Sequence, residues 1–258
     1  MKKTPLIGVC VMYPSPGVVE RIGPDWDWVW IDGQHGQIGT YTEMLSMVRA
    51  CNFIGRKAFV RVAGHELGPI SVALDMAADG VIVPQVECAE DARRLVRAAK
   101  FPPLGERSYG ARRSIDLGGR LFIETANAAT ELICQIESPG AVERADEIAS
   151  VPGVDGLFLG PDDYMLRKGF SMDHPRCLDS LGEALEKVAG ACLNHGKKGM
   201  AVGVGEGIAE RCVELGYDYI VGGVDVGFLA GASKTASAGL RKLFEAPLAG
   251  TDEKKSFY

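Results

Sequence analysis

A chain of 258 residues, 47% hydrophobic and 24% charged, can bury one large globular core, which excludes a disordered or fibrous polymer. Its 28 Lys and Arg against 34 Asp and Glu leave a formal charge of −6, so the surface is not built to neutralise a phosphodiester backbone, and nucleic acid is not an expected partner. No apolar run approaches the ~18–20 residues of a membrane span, and the short apolar run behind Met1-Lys2-Lys3-Thr4-Pro5 reads as a strand, not an export signal. Seven scattered cysteines, odd in number and without CxxC spacing, fit reduced thiols in a cytoplasm rather than a disulfide frame or structural zinc site.

Taken in chain order, short apolar runs alternate with segments of helical period. Residues 6–12 read as a first strand, 28–32 as a second, then a helix over 41–51, a strand over 58–62 and a helix over 69–78. A strand at 80–85 and a helix at 89–99 lead to an irregular stretch, 101–130, broken by Pro102-Pro103, Gly105, Gly110 and Gly118-Gly119. Beyond it come a strand at 132–136, a helix at 140–149, a strand at 156–159, a helix at 178–194, a strand at 199–202, a helix at 207–215, a strand at 219–224 and a last helix near 228–244. Strands apolar nearly throughout are covered on both faces, and βα alternation forces parallel pairing with right-handed crossovers. Eight such units in ~250 residues predict a single (β/α)8 TIM barrel over 1–258, with a peripheral tail from about 247. An open doubly wound sheet is the weaker alternative, because no GxGxxG follows the first strand. The stretch 101–130 is expected to be a long βα loop with a short helix at 121–128, and its basic run 106–113 either closes over an anion or lies solvated.

Read to their C-terminal ends, the strands run into polar residues: Asp32-Gly33-Gln34-His35, Arg61, Gln85, Gln135 with Glu137, Asp162-Asp163, and Asp225. In a barrel these ends converge on the mouth that holds the active site. Glu137 and Asp163 with Gln135 nearby would make an oxygen-rich site suited to Mg²⁺ or Mn²⁺; the alternative is that Glu137 caps the helix beginning near Gly140 and Asp163 caps the following turn. Asp32 stands three residues before His35 and could orient its imidazole, and Arg61 wants either a bound anion or an internal ion pair. His65 could line the mouth, while His174 and His195 have simpler loop and helix-end readings.

Four segments in order carry a resemblance. They are Asp25-Trp26-Asp27-Trp28-Val29-Trp30-Ile31-Asp32-Gly33-Gln34-His35; Val83-Pro84-Gln85-Val86 with Phe101-Pro102-Pro103-Leu104-Gly105-Glu106-Arg107; Gln135-Ile136-Glu137; and the run from Gly153 to Asp163. Over about 6–240 the chain resembles the HpcH/HpaI aldolases, the metal-dependent class II pyruvate aldolases.

The resemblance implies Glu137 and Asp163 as ligands of a divalent cation (Mg²⁺, Mn²⁺ or Co²⁺), His35 as acid/base with Asp32 as its partner, and Arg61 beside the pyruvate oxygens. It implies Gln135 at the metal's edge, and the backbone of Gly160, Pro161 and Asp162 around the pyruvate carboxylate. The implied reaction is reversible cleavage of a 4-hydroxy-2-oxo acid to a 2-oxo acid and an aldehyde, in a homohexamer. An acyl-CoA lyase or decarboxylase on the same metal–enolate site is one alternative, with Arg107, Arg112 and Arg113 as its basic surface; a non-catalytic metabolite-binding barrel is the other. The chain departs from the family pattern at Gln34, and Asp162 and Tyr164 add a carboxylate and a bulky ring beside the expected metal position.

Overall fold

The computed structural model describes residues 4–244, and the expected tail from about 247 lies outside them. Eight strands, β1 (Leu6–Val11), β2 (Trp28–Asp32), β3 (Lys57–Arg61), β4 (Gly80–Val83), β5 (Glu131–Ile136), β6 (Gly156–Leu159), β7 (Lys198–Val202) and β8 (Tyr219–Val224), pair in sequence order, all parallel. Strand β8 closes on β1, completing the (β/α)8 barrel that the alternation predicts.

Twelve helices accompany the strands: α1 (Pro16–Ile22), α2 (Tyr41–Phe53), α3 (Leu67–Asp75), α4 (Ala89–Ala99), α5 (Arg112–Gly118) and α6 (Ile123–Ala129) in the first half of the described chain. The second half adds α7 (Pro139–Glu143), α8 (Ala145–Ala149), α9 (Pro161–Arg167), α10 (Leu178–Asn194), α11 (Ile208–Leu215) and α12 (Asp225–Phe244). Helices α1 and α9 have no counterpart in the sequence reading, because Pro16 and Pro161 look like breaks. Each proline instead occupies the first helical turn, where its missing N–H costs no bond; Ser15 Oγ caps α1 by accepting from Val18 N at 3.4 Å.

Alternation along the strands decides what faces the barrel axis. Val9, Val29, Ile31, Val60, Val81, Leu132 and Leu157 face outward into the apolar layer under the helices. The opposite parity fills the interior: Trp28, Phe59 and Tyr219 meet edge to face with ring centroids 5.4–5.5 Å apart, and Trp30 meets Phe158 at 5.3 Å. Gly8 has no side chain because a Cβ there would stand 2.1 Å from the Trp28 indole. Continuing the interior parity upward, Trp28 and Trp30 give Asp32, Phe59 gives Arg61, and Ile133 gives Gln135 and then Glu137.

The barrel's lower end is polar. Buried Glu131 accepts from Tyr219 Oη at 2.9 Å, Lys198 Nζ at 2.7 Å and Lys57 Nζ at 3.2 Å. These charged residues open strands that the sequence reading starts one residue later, since each alone looks foreign to an apolar strand; together they satisfy one another.

The stretch 101–130 is corrected. It follows helix α4 and feeds the start of β5, so it is an αβ connection at the end of the barrel away from the mouth, not a βα loop. Arg107 donates to Asp75 at 2.7 Å at the end of α3, and Arg113 reaches the Met76 carbonyl (2.9 Å) and Asn52 (2.7 Å) near the end of α2. Its basic run therefore does not cover the mouth.

Candidate active site at the barrel mouth

The residues at the ends of β2, β3 and β5 form one connected chain of hydrogen bonds. Arg61 forks onto Asp32, Nε to Oδ1 at 2.9 Å and Nη2 to Oδ2 at 2.7 Å, with both residues buried. The guanidinium lies over the Trp30 ring at 4.5 Å, and Nη1 stands 3.5 Å from Gln135 Oε1. Gln135 Nε2 donates in turn to Glu137 Oε2, and the other oxygen, Oε1, accepts from Gln85 N at 2.8 Å. Of the two readings open for Arg61, the internal ion pair is present, and it leaves Nη1 as the edge turned toward the amide of Gln135.

Asp32 does not orient the His35 ring. Its Oδ1 also accepts from the backbone N–H of Gln34 (3.0 Å) and His35 (3.3 Å), so its bonds go to the arginine and to the turn 33–36. This fixes the turn behind β2 and leaves the His35 side chain exposed at the mouth. The carboxylate thus acts on His35 through the backbone.

The helix-cap alternatives for the two acids are also decided by contacts. Ser138, not Glu137, caps α7, with Oγ accepting from Ala141 N at 3.0 Å. Gly160 is the residue before α9, and Asp163 lies inside that helix's first turn. Glu137 is 3% exposed; burial lifts its carboxyl above the usual carboxylate range and the negative charge of Asp163 adds to the rise, while the bonds from Gln85 and Gln135 and the charge of Arg61 oppose it. Gly160 is pressed against Glu137 and Gln135: a Cβ there would stand 2.6 Å from Glu137 Oε2 and 2.7 Å from Gln135 Nε2. Among the described residues no cluster of three or more His, Cys, Asp or Glu side chains could hold an ion. A cation at Glu137 and Asp163 would thus have two protein carboxylates, the rest of its shell left to water and substrate, which suits a hard divalent ion.

The Asp162 carboxylate is held by Arg176, at 2.8 Å to Nε and 2.6 Å to Nη2, and so is turned to that arginine. Tyr164 is buried in the outer apolar layer and its hydroxyl accepts from Lys168 Nζ at 3.0 Å, which corrects the expectation of a bulky ring beside the metal. Asp225 accepts from Met12 N (3.0 Å) and Tyr13 N (3.1 Å), tying the end of β1 to β8. Two contacts behind β4 bear on the site: the Gln85 backbone N–H that holds Glu137, which the sequence reading misses, and His65, read as able to line the mouth, whose Nε2 lies 2.7 Å from the Pro84 carbonyl. A strand ending in Pro-Gln was the only signal for the first.

A closed parallel barrel whose acids, arginine and amide gather at the carboxyl ends of its strands has the architecture of a barrel enzyme. Residues 19–232 match the HpcH/HpaI aldolase/citrate lyase family, and the chain belongs to it. It is 34% identical over 241 residues to the 4-hydroxy-2-oxovalerate aldolase of Novosphingobium aromaticivorans, covering 92% of this chain and 89% of the relative. It is 33% identical over 235 residues to the hydroxypyruvate/pyruvate aldolase of Delftia acidovorans, covering 89% and 86%. The solved structure of an HpcH/HpaI aldolase/citrate lyase family protein from Burkholderia cenocepacia superposes with a TM-score of 0.83 at 30% identity, covering 92% of this chain and 95% of that one. The protein is a carbon–carbon lyase of the aldolase type.

Proposed function

We propose that the protein catalyses reversible retro-aldol cleavage of a 4-hydroxy-2-oxo acid to pyruvate or a related 2-oxo acid and an aldehyde, with Mg²⁺, Mn²⁺ or Co²⁺ held by Glu137 and Asp163. The observation that carries the reading is the acid pair: a buried carboxyl raised by burial and by its neighbour's negative charge is relieved by a cation between the two. When bound, the cation supplies positive charge for the enolate oxygen that develops as the C3–C4 bond breaks.

This chain's residues do the rest. Arg61, held rigid by the Asp32 fork and the Trp30 face, presents Nη1 to the oxygens of the 2-oxo acid. Gln135 ties that edge to Glu137, and the backbone of Gly160, Pro161 and Asp162 receives the substrate carboxylate. His35, exposed at the mouth, takes the proton of the 4-hydroxyl, directly or through water. Lys57 and Lys198 open their strands at the far end beside Glu131, away from any position for a Schiff base. An acyl-CoA substrate is disfavoured, because Arg107 and Arg113 are committed at the opposite end of the barrel.

We place the protein in the cytoplasm as a homohexamer. In support, all seven cysteines are free thiols, and α12 exposes Phe228, Leu229, Leu240 and Leu243. No helix among the described residues is long and apolar enough to cross a membrane.

The test is calorimetry with Mn²⁺ on wild type, Glu137→Ala and Asp163→Ala, followed by assays with pyruvate and an aldehyde panel. Each substitution should abolish tight metal binding and metal-dependent turnover while leaving the fold intact. Tight Mn²⁺ binding by either variant overturns the ligand assignment, and a protein that binds the ion but turns over no substrate in the panel reverts to a metabolite-binding barrel.

A further inference from the structure

The loop after β4 contains a peptide unit held from both sides. The Pro84 carbonyl lies 2.7 Å from His65 Nε2, and the N–H of the same peptide, belonging to Gln85, donates to Glu137 Oε1 at 2.8 Å. A carbonyl can only accept, so Nε2 carries the proton and His65 is the donor. Gln85 has φ of +56°, in the left-handed region that residues with a side chain avoid, yet its side chain is exposed and gains nothing there. Rotating the Pro84–Gln85 peptide by about 180° would carry that φ into the extended region. The same rotation would turn a carbonyl oxygen, instead of an N–H, toward the buried Glu137 carboxylate.

We infer that His65 is a positioning residue for Glu137, acting through the Pro84–Gln85 peptide. The backbone's own preference favours the flipped peptide, and two bonds oppose it, one from His65 and one to Glu137. The histidine anchors the carbonyl end and, by polarising the peptide, strengthens the N–H as a donor at the other end. In series the links run from His65 on the β3–α3 connection through the loop after β4 to Glu137 at the end of β5, then through Gln135 to Arg61. This extends the proposed function, since the value of a fixed Glu137 rests on its role as a metal ligand, but the peptide's orientation can be read without any metal.

The experiment uses the full chain in three forms, His65→Leu, His65→Gln and His65→Leu/Gln85→Gly, with thermal unfolding as the fold check. In metal-free protein, exchange of the Gln85 amide followed by NMR should speed up at least ~10-fold in His65→Leu, as a lost hydrogen bond requires. His65→Gln, which keeps a donor, should stay near wild type. Glycine at 85 removes the left-handed penalty, so the double variant should recover most of the protection. Mn²⁺ affinity by calorimetry should follow the same order, weakening ~10–100-fold in His65→Leu, the usual effect of losing a group that orients a ligand. Unchanged amide exchange in a folded His65→Leu overturns the inference, as does a double variant no better than the single. If amide exchange changes as stated while Glu137→Ala still binds Mn²⁺ tightly, the positioning stands and the metal assignment falls. Should His65→Leu fail to fold, His65→Ala carries the same comparison.

Discussion

Gly160→Ala is the sharpest probe of the bonded Glu137–Gln135 pair, because the glycine is needed for its lack of a side chain and not for its backbone. Its φ of −81° and ψ of 107° are open to any residue, so alanine there strains nothing locally. With no contacts to consider, the substitution would even stabilise the protein by ~0.4–1 kcal/mol through the unfolded chain. The contacts reverse the sign. The new Cβ would stand 2.6 Å from Glu137 Oε2, 2.7 Å from Gln135 Nε2 and 2.9 Å from Glu137 Cβ. Ordinary contact is ~3.5 Å, so the carboxylate must recede by about 0.9 Å, and the amide bonded to it by nearly as much. Overpacking of this kind costs ~1–3 kcal/mol in a rigid surround, and a displacement of ~1 Å at a reacting centre lowers turnover ~100-fold. Urea unfolding should therefore show a destabilised protein, and kcat for retro-aldol cleavage should fall by about two orders of magnitude, with weaker Mn²⁺ binding. Wild-type kcat and Mn²⁺ affinity in Gly160→Ala would refute the claim that this glycine leaves the room Glu137 and Gln135 need.

Arg61→Lys should keep the fold but lower kcat at least ~10-fold, because an ammonium cannot reproduce the fork onto Asp32 and still offer a second edge to substrate; an unchanged kcat would leave Arg61 a purely structural ion pair. In His35→Gln, cleavage should fall ~10²–10⁴-fold, while deuterium exchange into the pyruvate methyl survives better. A wild-type cleavage rate in that variant would remove His35 from proton transfer. Asp79→Asn addresses stability at the far end of the barrel: Asp79 Oδ2 accepts from Ala58 N at 2.8 Å, and burial raises its carboxyl above the usual range. A folded-state pKa above the unfolded value means the folded protein loses stability as pH rises from the unfolded pKa toward the folded one, and asparagine is spared that loss. The variant should gain on wild type in urea midpoint as pH rises from ~4 to 7, and a gap that stays constant with pH would contradict the assignment.

Much of the architecture was legible in the sequence because it rests on local rules. Eight apolar runs separated by helical periods admit little but parallel pairing with helical crossovers, and eight units of that length close into a barrel. Polar residues at the C-terminal strand ends, among them Asp32, Arg61, Gln135 and Glu137, could be assigned to one mouth because those ends of a parallel barrel converge there. What the sequence left open were pairings across strands. Asp32 faces a histidine three residues on and an arginine 29 residues on, and only the register of β2 with β3, which sets Asp32 beside Arg61, decides for the arginine. The stretch 101–130 reads as a long βα loop on the side of the mouth, and its place at the opposite end follows from its position between α4 and β5. Lys57, Glu131 and Lys198 look misplaced singly, and their strands begin where they do because the closed barrel brings the three charges and Tyr219 to one point. Local periodicity fixes which way a side chain faces; burial energy and closure of the sheet decide which partner it meets there, and that choice, made between residues tens of positions apart, belongs to the tertiary structure.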